Sequence, residues 1–109
     1  MKPERVTLSE CLLALSAAGC VVWRNNTGVL SDRNGRPVRF GLCVGSSDII
    51  GIAPDGRFLA VEVKAATGKA SDAQQRFIAA VRKAGGRAGV ARSAEHAVAI
   101  AVAEIGLRL

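Results

Sequence analysis

The chain has 109 residues, room for one compact domain spanning 1–109 that buries roughly two-thirds of its unfolded surface, and too few for two. Half of the residues are apolar, which excludes a predominantly disordered state, and fifteen Lys and Arg against nine Asp and Glu give a net charge of +6. That balance points to a polyanionic partner; with no basic amphipathic helix and no apolar run of the ~18 residues a span requires, nucleic acid is expected and a membrane is not.

The N-terminal stretch MKPERVTLSECLLALSAAGC has Glu4 and Glu10 around and inside a short apolar run, so a secretory leader is not expected. Thr7-Leu8-Ser9-Glu10 has the form of a capping box, and Leu8, Cys11, Leu12 and Leu15 follow at helical spacing with Gly19 as a stop, predicting a first helix. CVVWR at 20–24 reads as a short strand. Its Trp23 is expected in the core, with stacking on a base as the alternative. Residues 25–41 lose the apolar period and read as a long loop with one short strand near Val38. Arg24, Arg33, Arg36 and Arg39 in and beside it are expected to contact phosphates, or else to be solvated loop charges.

Two apolar runs, 48–53 and 57–64, flank Pro54-Asp55-Gly56. Proline presets the first central residue of a turn, Asp suits the second, and Gly takes a left-handed third position, so a three-residue hairpin is expected with Ala53 opposite Arg57. Counting back, Ile52 faces Phe58, Ile50 faces Ala60, and Asp48 faces Glu62, with Lys64 on the same side of the sheet. A two-residue turn would send Asp48 to the other face. Two carboxylates at ~5 Å repel unless a cation lies between them, and oxygen ligands of this kind suit Mg²⁺ or Mn²⁺. The competing reading has Asp48 capping a turn and Glu62 and Lys64 forming a partly exposed ion pair.

Ser71-Asp72-Ala73-Gln74 is a second capping box, opening a helix with Phe77, Ile78, Val81 and Ala84 on its apolar stripe and Gly85-Gly86 at its end. Gln74 shares that stripe and so points at the sheet, whereas Gln75 does not. RAGVAR at 87–92 reads as a strand, and Ser93 caps a last helix running to about Ile105, apolar on most of its circumference, with Gly106 as stop. The lone His96 there receives no role. Cys11, Cys20 and Cys43 lack metal or disulfide spacing and sit among apolar residues, as packed, reduced thiols of a cytosolic protein would.

Asp48 followed by Glu62-Val63-Lys64 resembles the D…(D/E)-x-K signature of the PD-(D/E)XK nuclease superfamily. WRNNTG at 23–28, GSSDIIGI at 45–52, FLAVEVK at 58–64, S-x-x-Q at 71–74 and GG-x-AGVARS at 85–93 are similar to the VRR-NUC branch, found in small stand-alone phage and bacterial proteins. Ser47 stands where the superfamily has proline. The resemblance implies a restriction-endonuclease-like α/β core in the order α-β-β-β-α-β-α, with a mixed central sheet flanked by helices. It implies hydrolysis of DNA phosphodiesters with Mg²⁺ or Mn²⁺ held by Asp48, Glu62 and the Val63 carbonyl, Lys64 serving the attacking water, and Gln74 as the family's helix-borne Gln. Glu10 corresponds to the family's first-helix Glu, although its angular position fits a cap with Thr7 equally well. Asn25, Asn26, Ser46, Ser47 and Lys69 join the arginines as expected DNA contacts. Structure-specific cutting of branched DNA, four-way junctions included, by a cytoplasmic homodimer is implied, with the last helix as a candidate dimer surface. A non-catalytic nucleic-acid-binding module and an RNA endonuclease using the same site are the alternatives.

Overall fold

A computed structural model describes residues 2–104. The element order is α1 (Glu4–Ala17), β1 (Val21–Arg24), β2 (Gly28–Ser31), β3 (Pro37–Phe40), β4 (Ile49–Ile52), β5 (Phe58–Val63), α2 (Asp72–Lys83), β6 (Arg87–Ala91) and α3 (Ala94–Val102). The main sheet runs β1-β4-β5-β6. Its first two pairings are antiparallel and β5–β6 is parallel, so α2 is the crossover between parallel neighbours. This is the expected mixed sheet flanked by helices, with one insertion.

Where a long loop with one short strand near Val38 was expected, that strand is β3, and β2 pairs with it in a separate two-stranded antiparallel hairpin. Its turn is organised by Asp32, whose Oδ1 accepts from the Asn34 and Arg36 N–H groups at 2.8 and 2.9 Å, while Gly35 takes φ +76°. The strands are weakly legible because Gly28 and Pro37 are poor strand formers and neither face is buried, so no alternation of apolar and polar residues marks them.

The first helix starts three residues before the expected box. Pro3 presets the backbone at its start and its carbonyl accepts from the Val6 and Thr7 N–H groups, while Glu4 suits the positive end of the helix dipole. Thr7 is thereby turned inward and buried beside Leu8, Cys11 and Leu15 rather than capping. Gly19, at φ +94°, ends the helix as anticipated. The last helix stops at Val102, short of the predicted end; Ile105 and Gly106 lie outside the described residues. Of the three cysteines, Cys11 and Cys20 are buried but Cys43 is exposed, because it falls in the turn after the hairpin and not in a packed element.

Strand β5 alternates between two helical layers. Leu59, Val61 and Val63 pack with Leu8, Leu15, Ile49, Ala97 and Ala101 beneath α1 and α3, whereas Ala60 packs with Ile78 and Ala88 beneath α2. Even-numbered residues of β5 therefore face α2, and that face carries the candidate chemistry.

Candidate active site

The Pro54-Asp55-Gly56 turn sets the geometry. Gly56 adopts φ +87°, the Ala53 N–H donates to the Arg57 carbonyl at 2.8 Å, and Ile52 pairs with Phe58, Ile50 with Ala60 and Ile49 with Val61. Continued by one residue, this register sets Asp48 opposite Glu62, on the α2 face. Asp48 Oδ2 accepts from the Val63 N–H at 2.8 Å. In an extended strand a residue's carbonyl points to the same side as its N–H, so the Val63 carbonyl also looks toward Asp48.

Glu62 is only 1% exposed, an uncommon place for a carboxylate. Its Oε2 meets Lys64 Nζ at 3.3 Å and accepts from Gln74 Nε2 at 3.1 Å, while its Oε1 is buried without a hydrogen-bond partner. Burial first, and then the neighbouring Asp48 carboxylate, push the Glu62 carboxyl up to about 7, against a smaller downward pull from Lys64. A half-satisfied carboxylate at the rim of a core is stable in ionised form only if something further joins it.

Gln74 does two things at once. Its Oε1 accepts from the Ser71 N–H at 2.8 Å and its own N–H donates to Ser71 Oγ at 3.2 Å, closing the capping box of α2. With the carboxamide oxygen so engaged, the NH₂ group is left to point at Glu62. The cap and the carboxylate contact are both present.

The turn before Asp48 is held by Asn25, whose Nδ2 donates to Ser46 Oγ and the Ser47 carbonyl at 2.7 and 2.9 Å and whose Oδ1 accepts from the Leu42 N–H. Its backbone N–H donates to the Asp48 carbonyl at 2.7 Å. Ser46 Oγ in turn donates to the Cys43 carbonyl, and Ser47 is fully buried. Asn25 and Ser46, expected as DNA contacts, brace the turn from inside because their short polar side chains satisfy its backbone groups, while Ser47, also expected there, has its Oγ buried without a hydrogen-bond partner. Gly45, at φ +83°, brings this turn against the start of α2, where a Cβ would lie 2.6 Å from the Ala73 carbonyl oxygen.

Glu10 is not gathered into this group. It belongs to α1, across the sheet from α2, and its carboxylate binds Lys2 Nζ at 3.0 Å. Among the described residues no three His, Cys, Asp or Glu side chains converge. Arg24, Asn26, Arg33, Arg36, Arg39 and Lys69 are all exposed, Arg33 and Arg36 at the hairpin tip and Arg39 on its second strand. Trp23, expected in the core, is 55% exposed because β1 is the edge strand and no helix covers its half of the α2 face.

The VRR-NUC domain model matches residues 34–95, a stretch that contains Asp48, Glu62, Lys64 and Gln74. A solved structure described as a VRR_NUC domain superposes with a TM-score of 0.59 at 26% identity, covering 87% of this chain and 89% of its own. No curated protein matches the chain in sequence. Sequence and fold thus agree over the residues that build the buried carboxylate site, and the chain belongs to the VRR-NUC domain family, a nuclease family of the PD-(D/E)XK superfamily.

Proposed function

We propose that this nuclease domain is a divalent-metal-dependent endonuclease acting on DNA, with Asp48, Glu62, Lys64 and Gln74 as its working residues. The observation that carries the reading is the Glu62 carboxylate, buried opposite Asp48 with one oxygen unpartnered. Two carboxylates and a backbone carbonyl are hard oxygen donors, and the orphaned Oε1 is where such a set accepts a cation, so the residues fit Mg²⁺ or Mn²⁺. Asp48, Glu62 and the Val63 carbonyl would hold it. When bound, a cation of this kind neutralises the carboxylate pair and polarises both a phosphoryl oxygen and a water.

The chain's own residues supply the rest. The Val63 N–H fixes Asp48, and Gln74 fixes Glu62, so neither carboxylate has to reorganise when substrate arrives. Lys64, tethered at 3.3 Å from Glu62 and partly exposed, presents its ammonium to the nucleic-acid side, where it orients the attacking water and offsets charge developing on the phosphate. The exposed arginines and Lys69 draw the backbone in and set its register without reading sequence.

Action on branched DNA by a homodimer is the finer part of the proposal, since a two-fold pair would present two sites for paired cuts. The apolar last helix packs Ala97 and Ala101 into the core beside α1 and β6, while Ala99 and Val102 stay exposed and keep it a candidate pairing surface. The test incubates the protein and its Lys64→Ala variant with duplex, single-stranded, flap and four-way-junction DNA and with RNA, in Mg²⁺, Mn²⁺ or EDTA. Metal-dependent cutting by the parent that falls at least a hundredfold in the variant, with binding retained, is expected. Salt-sensitive binding with no cutting of any substrate would reduce the chain to a binding module.

A further inference from the structure

The α2 face of the sheet has three rows across its strands. The first is Asp48 and Glu62. The second is Trp23, Ile50 and Ala60, and the third is Val21, Ile52 and Phe58, as the pairings of Trp23 with Ile50 and Val21 with Ile52 require. Rows two residues apart lie ~7 Å from one another. Helix α2 covers the Ala60 side, but Trp23, Val21, Ile52 and Phe58 are 55, 53, 44 and 42% exposed. The second and third rows carry no charge.

Because Trp23 pairs with Ile50, Asp48 is its diagonal neighbour on the same face, at ~7–8 Å. A strand that sets a phosphate on Asp48 and Glu62 and runs toward β1 therefore has its next nucleotide within reach of Trp23. A duplex offers charged phosphates and sugars there, which gain nothing from an uncharged indole and aliphatic surface. An unpaired base offers a flat apolar face, which does.

Resting on the nuclease reading above, we propose that these two rows are a stacking platform for unpaired bases adjoining the scissile phosphate, with Trp23 its anchor. The substrate class it selects is a strand that leaves the duplex at the cut site, as at a flap, a splayed end or a single-stranded region.

Trp23 is the chain's only tryptophan, so its fluorescence reports this face alone. In EDTA, where no cutting occurs, a short single-stranded oligonucleotide should quench the emission by more than half, while an abasic strand of equal length or a blunt duplex changes it little. In Trp23→Ala the ratio of single-strand to duplex affinity should fall about tenfold, and Trp23→Phe should restore most of it. Equal quenching by abasic and base-bearing strands would overturn the platform. So would an emission that shifts blue with protein concentration and ignores oligonucleotides, which would give the face to a second copy of the chain. Quenching is read on the unmodified protein and without metal, so loss of the platform with cleavage intact, or of cleavage with quenching intact, separates the two proposals.

Discussion

Replacing Glu62 by Gln keeps the shape of the side chain and its contact with Gln74 while removing the charge that the fold disfavours. A carboxyl raised from 4.5 to about 7 keeps its proton in the native state while the unfolded chain has already lost one. Below pH 4.5 both states are protonated and nothing is at stake; as pH rises through the interval stability falls, and above about 7 the full cost is present. At 1.36 kcal/mol per pH unit that interval sets a ceiling of about 3 kcal/mol, or roughly 13 °C in melting temperature for a domain of this size. Thermal melts of metal-free protein and Glu62→Gln from pH 4 to 8.5 test this. The difference between the two cancels other titrating groups, and Asp55, held below its usual range first by its hydrogen bond to Arg87, acts in the opposite sense and in more acid solution. The variant should be the more stable protein at pH 8 and the two should converge at pH 4, while added Mg²⁺ should raise the melting temperature of the parent and not of the variant. A parent whose stability is flat or rising across the interval, or a variant no more stable at pH 8, would refute the claim that Glu62 is a buried charge waiting for a counter-ion.

Gln74→Ala removes the capping box and the Glu62 contact together, and should cost about 1–2 kcal/mol in denaturant unfolding. Gln74→Glu should restore the helix cap yet weaken Mg²⁺ affinity, followed by titration calorimetry, if the amide's donation to Glu62 is what matters. Gly51→Ala should destabilise by more than 2 kcal/mol in chemical denaturation, because the new Cβ would overlap the Val21 carbonyl where β1 docks on β4. The double change Arg33→Ala and Arg36→Ala at the hairpin tip should lower the slope of log affinity against log salt by about 1–2 for duplex DNA, measured by anisotropy, and should leave the melting temperature within 1–2 °C.

What could be read from the sequence was what local chemistry decides. Three residues, Pro54-Asp55-Gly56, determine a register, and the register carries Asp48 to Glu62 without knowledge of the rest of the fold. The Ser71 to Gln74 spacing likewise fixes a helix start and the inward aim of Gln74. The misreadings arose where tertiary surroundings decide. Trp23 looks like core until the sheet order makes β1 an edge with a bare face, and the hairpin has no buried side to print a period on its residues. Asn25, Ser46 and Ser47 have the composition of phosphate contacts, but a turn that must present Asp48 consumes the hydrogen-bonding groups of Asn25 and Ser46 and buries Ser47. Glu10 lies on the other side of the sheet because α1 packs there with α3, and Pro3, four residues ahead of the apparent box, rather than Thr7 begins the helix.

The double engagement of Gln74 has a consequence for how the site responds to its surroundings. One amide joins the first turn of α2 to the carboxylate at the end of β5, so order in either is order in both. By thermodynamic reciprocity, an ion that immobilises Glu62 slows the fraying of that turn, and a strand lying along the start of α2 and slowing its fraying raises the affinity for the ion by the same factor. Ion and nucleic acid would then recruit one another through a single side chain, each tightening a geometry the fold already holds.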